Sequence, residues 1–250
     1  MTSAPRLRNS VPSSVLLATW ANAWAAGHAS LDDAVTGARA DGPPHLVADS
    51  AGRSEALIVS FRGIFEGQLA LAALPVPGFL LGLAGPDSFN RAALGAGGAV
   101  LSGDTGLVPQ EVSSTDSSSG GAVLWQRHTI NPTQHHETLR GANFHMRESL
   151  TEAAEAFGAS DLRPAREELL DALVDADRPF DLGLPRTFDE ADERIVRTAL
   201  QCLHLTTASR EDHAADLSSS AAALRSSVLG SLDRAARRVL VAASAHRPRR

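Results

Sequence analysis

At Asn131-Pro132 the hydrophobic pattern of this chain changes period, and that change divides what it can fold into. From Thr133 to His246 the apolar residues recur at mixed three- and four-residue steps, the spacing of amphipathic helices packed in a bundle. Leu139, Met146, Leu150, Ala153 and Phe157 form one stripe, and Leu169, Leu170, Leu173 and Val174 form another behind Pro164 at a first-turn position. Thr187 and Glu190 read as a capping box before Ile195, Ala199, Leu200 and Leu203. Ser209 and Asp212 read as a weaker one before Ala214 to Val228, and a last helix carries Leu232 to Ala243.

Before Asn131 the apolar runs are short and are cut by Gly and Pro. The pattern predicts a helix over 14–27 capped by Ser13 or Ser14, and a second one capped by Ser30 with Asp32 and Asp33 in its first turn. After the break at Gly42-Pro43-Pro44, strands are expected over His45–Val47 and Ala56–Phe61, with 64–73 ambiguous. A short helix begins at Asp87 or Ser88 and stops at Gly95; strands follow over Ala99–Leu101 and Ala122–Ile130. The Ser-rich tract Ser113–Gly121 reads as a hairpin tip or linker. The fold class is therefore α+β: a small N-terminal sheet with short helices over 1–130, then a bundle of four to five helices over 131–250. Whether the halves share one core is left open.

Composition excludes several chemistries. All 23 basic residues are arginine, and the chain has no lysine and no tyrosine. A lysine Schiff base, a P-loop lysine, a Ser–Lys dyad and a catalytic tyrosine are ruled out. The net charge of -6 is spread over both halves, so a nucleic-acid partner is not expected. Arg6 and Arg8 precede an apolar stretch over Val15–Ala26 that looks like a secretion leader, but Asn22 interrupts it and Trp20 and Trp24 share one helical face. A core helix and a cytoplasmic protein are the expectation, and a membrane partner is not.

The motifs that hint at chemistry fail on geometry. Gly95-Ala96-Gly97-Gly98 leaves a helix and enters a strand, the reverse of a dinucleotide loop. His135-His136-Glu137 starts like a zinc-protease motif, but Arg140 stands where the second histidine belongs. His145, Glu148 and Glu152 share a helix face, in an order that reverses the usual di-metal pair, and a solvated face is expected there. Cys202 and His204 point about 200° apart on a helix and cannot share an ion, so Cys202 reads as core. There is no Gly-x-Ser-x-Gly. No catalytic residue, metal ligand or cofactor is assigned.

Two features remain. The loop Leu74-Pro75-Val76-Pro77-Gly78 through Pro86 cannot be regular helix. A pocket beneath it would use Arg62, Gly78, Asp87, Asn90 and Arg91, with an anion at the N-terminus of the 87–94 helix. Simple packing of its leucines over the sheet is the plainer expectation. From Leu229 onward there are six arginines and one acid; Arg234, Arg237 and Arg238 are candidate phosphate contacts, against a plainer role near a helix end and, for Arg247, Arg249 and Arg250, a frayed tail.

The stretch Leu74–Leu101 (LPVPGFLLGLAGPDSFNRAALGAGGAVL), followed by Gly106-Leu107-Val108-Pro109, resembles a protein family of high-GC Gram-positive bacteria that has no assigned activity. The resemblance spans most of the chain and implies the loop and the helical C-terminal half, with no catalytic residues to carry over. In that pattern a polar residue, often Asp, follows Pro-Gly; Phe79 stands there here, so a ligand at the loop would lack that contact. The expected function is non-enzymatic: binding of a protein partner or self-association. A small-molecule site under the 74–86 loop is the alternative, and a DNA- or membrane-associated regulator using the last helix is a weaker one.

Overall fold

The computed structural model describes residues 10–49, 51–83, 85–112, 121–132, 137–158, 180–211 and 219–246, with residues 167, 170, 171 and 174. The elements are α1 (Ser13–Ala25), α2 (Leu31–Arg39), β1 (His45–Ala48), β2 (Ser54–Ala56), α3 (Leu57–Phe65), β3 (Ala70–Ala73), α4 (Asp87–Ala96), β4 (Ala99–Ser102), β5 (Thr105–Val112), β6 (Ala122–Thr129), α5 (Leu139–Gly158), α6 (Glu190–Glu211) and α7 (Ser219–Ser244). The chain is α+β. It divides into two compact units: one holds Pro12–His136, Gly183–Phe188 and Ala243–Arg250, the other Met1–Val11, Glu137–Leu182 and Asp189–Ala242.

The first unit is built on a six-stranded mixed sheet in the order β2-β1-β6-β5-β4-β3. Neighbours are antiparallel except β1 and β6, which run parallel. Side chains alternate across a strand. Ser102 therefore faces α3, where its hydroxyl donates to Ile64 O at 2.7 Å, while Leu101 faces the opposite side and packs with Phe89 and Ala93 of α4. The two faces are thus covered by different helices.

Residues 56–61 are not the expected strand. After the three residues of β2 the chain turns into α3, because Leu57, Phe61, Ile64 and Phe65 lie at helical spacing and all four are buried. Phe61 meets the edge of Trp24 at 5.4 Å and Phe65 at 4.8 Å. Ile58 and Val59 are left exposed on the outer side of that helix. The ambiguous stretch resolves into the end of α3 and the strand β3.

Caps differ from expectation where proline competes with serine. α1 and α4 start behind Pro12 and Pro86, with no side-chain cap from Ser13, Ser14, Asp87 or Ser88. Proline's fixed φ already suits a helix start. Ser30 does cap α2, in a full capping box with Asp33. α4 runs to Ala96 and ends on Gly97 in the left-handed conformation, two residues past the expected stop.

α1 is buried on most sides, from Ser14 to Ala23. Its Asn22 caps the outer edge of β3, a strand paired, among the described residues, only with β4. Asn22 Nδ2 donates to Ala70 O at 2.7 Å, and Ala70 N–H donates to Asn22 Oδ1 at 2.9 Å. Asn22 Nδ2 also reaches Ser244 O at 2.7 Å, and Ser244 Oγ accepts from Ala72 N–H at 2.8 Å. A carboxamide and a serine thus stand in for a seventh strand. On the other side of α1, Trp20 Nε1 donates to Gly183 O at 2.7 Å.

Gly106 of β5 lies under the ring of Phe89. A Cβ there would sit 2.5 Å from Phe89 Cε2 and 2.8 Å from Ile130 Cγ2. Gly106→Ala is expected to cost about 1–3 kcal/mol by overpacking. A urea-denaturation midpoint equal to that of the wild type would contradict this.

The second unit is helical. α5 buries Leu139, Ala142, Met146, Ala153 and Phe157, close to the expected stripe. Asp189, not Thr187, starts α6: its Oδ1 accepts from Asp192 N–H at 2.8 Å. Ser209 lies within α6, so no helix begins there. α7 is one continuous helix of 26 residues where two were expected: Gly230 and Ser231, between Val228 and Leu232, are accommodated inside it. Leu170 and Val174 were expected inside and are exposed. The expectations for residues 113–120, Thr133, Pro164, Leu169, Leu173, Asp212, Ala214 and Leu217 lie outside the described residues.

Candidate functional site

The Pro-Gly loop is two consecutive turns. Val76 and Phe79 exchange backbone hydrogen bonds of 3.0 and 2.9 Å around Pro77-Gly78, and Leu83 N–H donates to Leu80 O at 3.1 Å around Leu81-Gly82. Gly78 has φ +80 and Gly82 has φ +83, and nothing lies within 4 Å of a Cβ added at either. Their role is turn conformation, at Gly78 after Pro77 and at Gly82 after Leu81, not close approach of another group. Leu74 is buried and Leu80 exposed, so only part of the loop packs down.

The candidate ligand residues do not converge. Arg62 is exposed on α3 beside Glu66, at 3.9 Å. Asp87, Asn90 and Arg91 belong to α4, across the sheet from α3. Asp87 and Arg91 are exposed. Asn90 differs: its Oδ1 is buried and has no hydrogen-bond partner.

A groove of about 970 Å³ lies elsewhere, lined among others by Ala92, Ala96, Val108, Gln110, Gln126 and His128. None of the five candidate residues lines it. His128 meets the ring of Phe89 at 5.6 Å with the two planes tilted by 57°, and burial lowers its pKa. The register of β5 on β6 brings these side chains together, pairing Val108 with Gln126 and Gly106 with His128. That register depends on residues on both sides of the 113–120 segment, so composition and motif spacing carry no signal for it.

A buried titratable residue of the sheet unit is His45 on β1. Its ring meets Trp125 edge-on at 5.6 Å, and neither His45 Nδ1 nor Trp125 Nε1 has a hydrogen-bond partner. Burial, and secondarily the charge of Arg39, push its pKa down to about 4. The folded state therefore holds this imidazole neutral, whereas the unfolded chain protonates it near pH 6.5. Its neutral form favours folding above pH 6.5, and that contribution is lost as pH falls from 6.5 through about 4. His45→Leu is expected to flatten the decline of thermal midpoint over this window. An undiminished decline in the variant would refute it.

In the second unit the arginines of α7 are committed to partners. Arg237 Nε donates to Asp233 Oδ2 at 2.9 Å, Arg238 reaches Glu137 Oε2 at 3.0 Å through both Nε and Nη2, and Arg234 donates to Ser231 Oγ at 3.0 Å. α7 continues to Ser244 and has no basic residue in its last turn, so these arginines do not serve its C-terminal dipole. Arg247, Arg249 and Arg250 lie outside the described residues. His145 Nδ1 sits 3.2 Å from Glu148 and its Nε2 3.7 Å from Glu137. Among the described residues no group of three or more His, Cys, Asp or Glu is placed to hold a metal ion. Cys202 is buried, and burial pushes its thiol up to about 12, far from a nucleophile's range. No helix among the described residues is long and apolar enough to cross a membrane.

Fold and sites together define an α+β protein with a mixed-sheet unit and a helical unit. Residues 14–138 match the model of the Rv1486c-like protein N-terminal domain, and residues 140–241 match that of its C-terminal domain. The chain belongs to the Rv1486c-like protein family. It is 28% identical over 236 residues to "Uncharacterized protein Rv1486c" of Mycobacterium tuberculosis strain H37Rv, covering 77% of this chain and 80% of the relative. "Uncharacterized protein MT1533" of strain CDC 1551 matches to the same extent. The family is thus one found in high-GC bacteria, as the 74–109 resemblance implied. No solved structure matches.

Proposed function

We propose that this protein acts without catalysis, in the cytoplasm, by binding a protein partner or a second copy of itself. The observation that carries this reading is the pair Leu170 and Val174. They are spaced for one face of a helix turn and stand 48% and 62% exposed. Phe144 of α5, in the same unit, is 60% exposed. Apolar side chains at core spacing that the chain leaves in water support a surface that another molecule covers, where they join into one patch. The single cysteine, held as a buried thiol, suits a reducing compartment.

The test compares the wild type with Phe144→Glu/Leu170→Glu/Val174→Glu, by size-exclusion chromatography with light scattering and by pulldown from a native lysate. A captured partner, or an oligomer formed through this face, should be present in the wild type and lost in the variant, with helicity unchanged by circular dichroism. A strict monomer that captures nothing overturns the reading.

One observation favours a second reading, a small polar ligand near the 74–86 loop: the buried, unpartnered Asn90 Oδ1. A metabolite thermal-shift screen should then find a ligand that stabilises the wild type and not Asn90→Leu. Equal responses of both proteins would end it.

A further inference from the structure

The sheet has two edges, and the chain treats them differently. The β3 edge is closed by Asn22 and Ser244. The β2 edge is different: Ser54, Glu55 and Ala56 are all exposed, and among the described residues β2 pairs with β1 alone. We propose that this edge is a self-association surface, on which β2 of a second copy pairs antiparallel about a twofold axis through Ser54. This inference goes beyond the function proposed above: it adds a self-association surface on the sheet unit to the one argued from Phe144, Leu170 and Val174.

The hydrogen-bond alternation sets the register. Asp49 N–H donates to Arg53 O, so 49 and 53 form a hydrogen-bonded pair. In an antiparallel ladder such pairs alternate with non-bonded ones. Val47–Glu55 is then a bonded pair, while Ala48–Ser54 and Leu46–Ala56 are non-bonded. The N–H and C=O of Ser54 and the N–H of Ala56 therefore point away from β1, to the free side, while the C=O of Ala56, the N-cap residue, opens α3. Centring the twofold axis on Ser54 joins the two Ser54 backbones by a reciprocal pair of hydrogen bonds.

The same register decides the charges. Position i then faces position 108 − i of the other copy, which sets Arg53 opposite Glu55 twice, in the non-bonded pairs where side chains approach most closely. An edge strand is usually protected by being short and charged. A run of one sign would repel a second copy; an Arg and a Glu two residues apart attract one in this register. Arg53 already holds Asp49 at 2.6 Å, and the other side of an exposed guanidinium stays free for a second carboxylate. Ile58 and Val59, 38% and 66% exposed, follow immediately and extend the patch with apolar surface.

Sedimentation velocity over a wide concentration range tests this with Arg53→Glu, Glu55→Arg, the double charge swap, and Ser54→Pro. The Pro removes only an outward N–H and so spares the β1–β2 ladder. The wild type should dimerise, each single reversal and Ser54→Pro should weaken association by about tenfold or more, and the double swap should restore it. A wild type that is monomeric throughout overturns the inference. So does a dimer indifferent to the single reversals, but that result leaves self-association through another face standing. Monomeric wild type with a partner still captured through Phe144, Leu170 and Val174 likewise separates the two.

Discussion

Replacing Asp233 by alanine should be the most damaging single change in the helical unit, costing about 3–5 kcal/mol. The carboxylate is 1% exposed, its Oδ2 accepts from Arg237 Nε at 2.9 Å, and the Arg237 side chain is itself only 14% exposed. Thr206 of α6 lies 3.3 Å from Oδ1, which ties α6 to α7 through the same group. Alanine leaves a guanidinium out of water without its counter-charge. Exchanging both partners for apolar residues, as in Asp233→Leu/Arg237→Met, should recover most of the loss, because no ion is then stranded. Urea denaturation followed at 222 nm reads both. A single variant within about 1 kcal/mol of wild type would show that the pair is not holding these helices.

The comparable position in the sheet unit is Asn22. Asn22→Leu leaves Ala70 N–H and C=O without their partner and takes one donor from Ser244 O. At about 1–3 kcal/mol for each stranded group, the expected loss is about 3 kcal/mol or more. Asn22→Asp keeps the acceptor for Ala70 N–H but sets a carboxylate against two carbonyl oxygens, each 2.7 Å from the present Nδ2. Protonating that carboxyl restores a donor, so the Asp variant should gain stability relative to wild type as pH falls. Hydrogen exchange localises the effect: the amides of Ala70 and Ala72 should open before those of β5 and β6. Uniform opening of the whole sheet would argue against an edge role.

What could be read from the residues alone was whatever is held by near neighbours. The helical half announces itself because its stripes, and the Ser30–Asp33 box in the other half, involve residues three or four apart. α3 is misread for a related reason: Leu57-Ile58-Val59-Ser60-Phe61 has the composition of a strand, and only Ile64 and Phe65 supply the helical continuation. Asn22 is visible as a break in an apolar run, but its partner Ala70 is 48 residues away. The α7 arginines suggest phosphate contacts until Glu137, 101 residues earlier, takes Arg238. The groove beside α4 depends on strand register, which no single segment encodes.

The Asn22–Ser244 seal also has a consequence for how the protein is made. Every strand of the sheet lies between His45 and Thr129, so the sheet can assemble while the rest of the chain is still being translated. The hydroxyl that occupies Ala72 N–H belongs to residue 244 and is synthesised after all of α5 and α6. Throughout that interval the nascent chain carries β3 with Asn22 as its lone guard, and the remaining open edge is a template for another nascent chain on the same message. The equilibrium stability of the finished fold does not measure that interval of exposure.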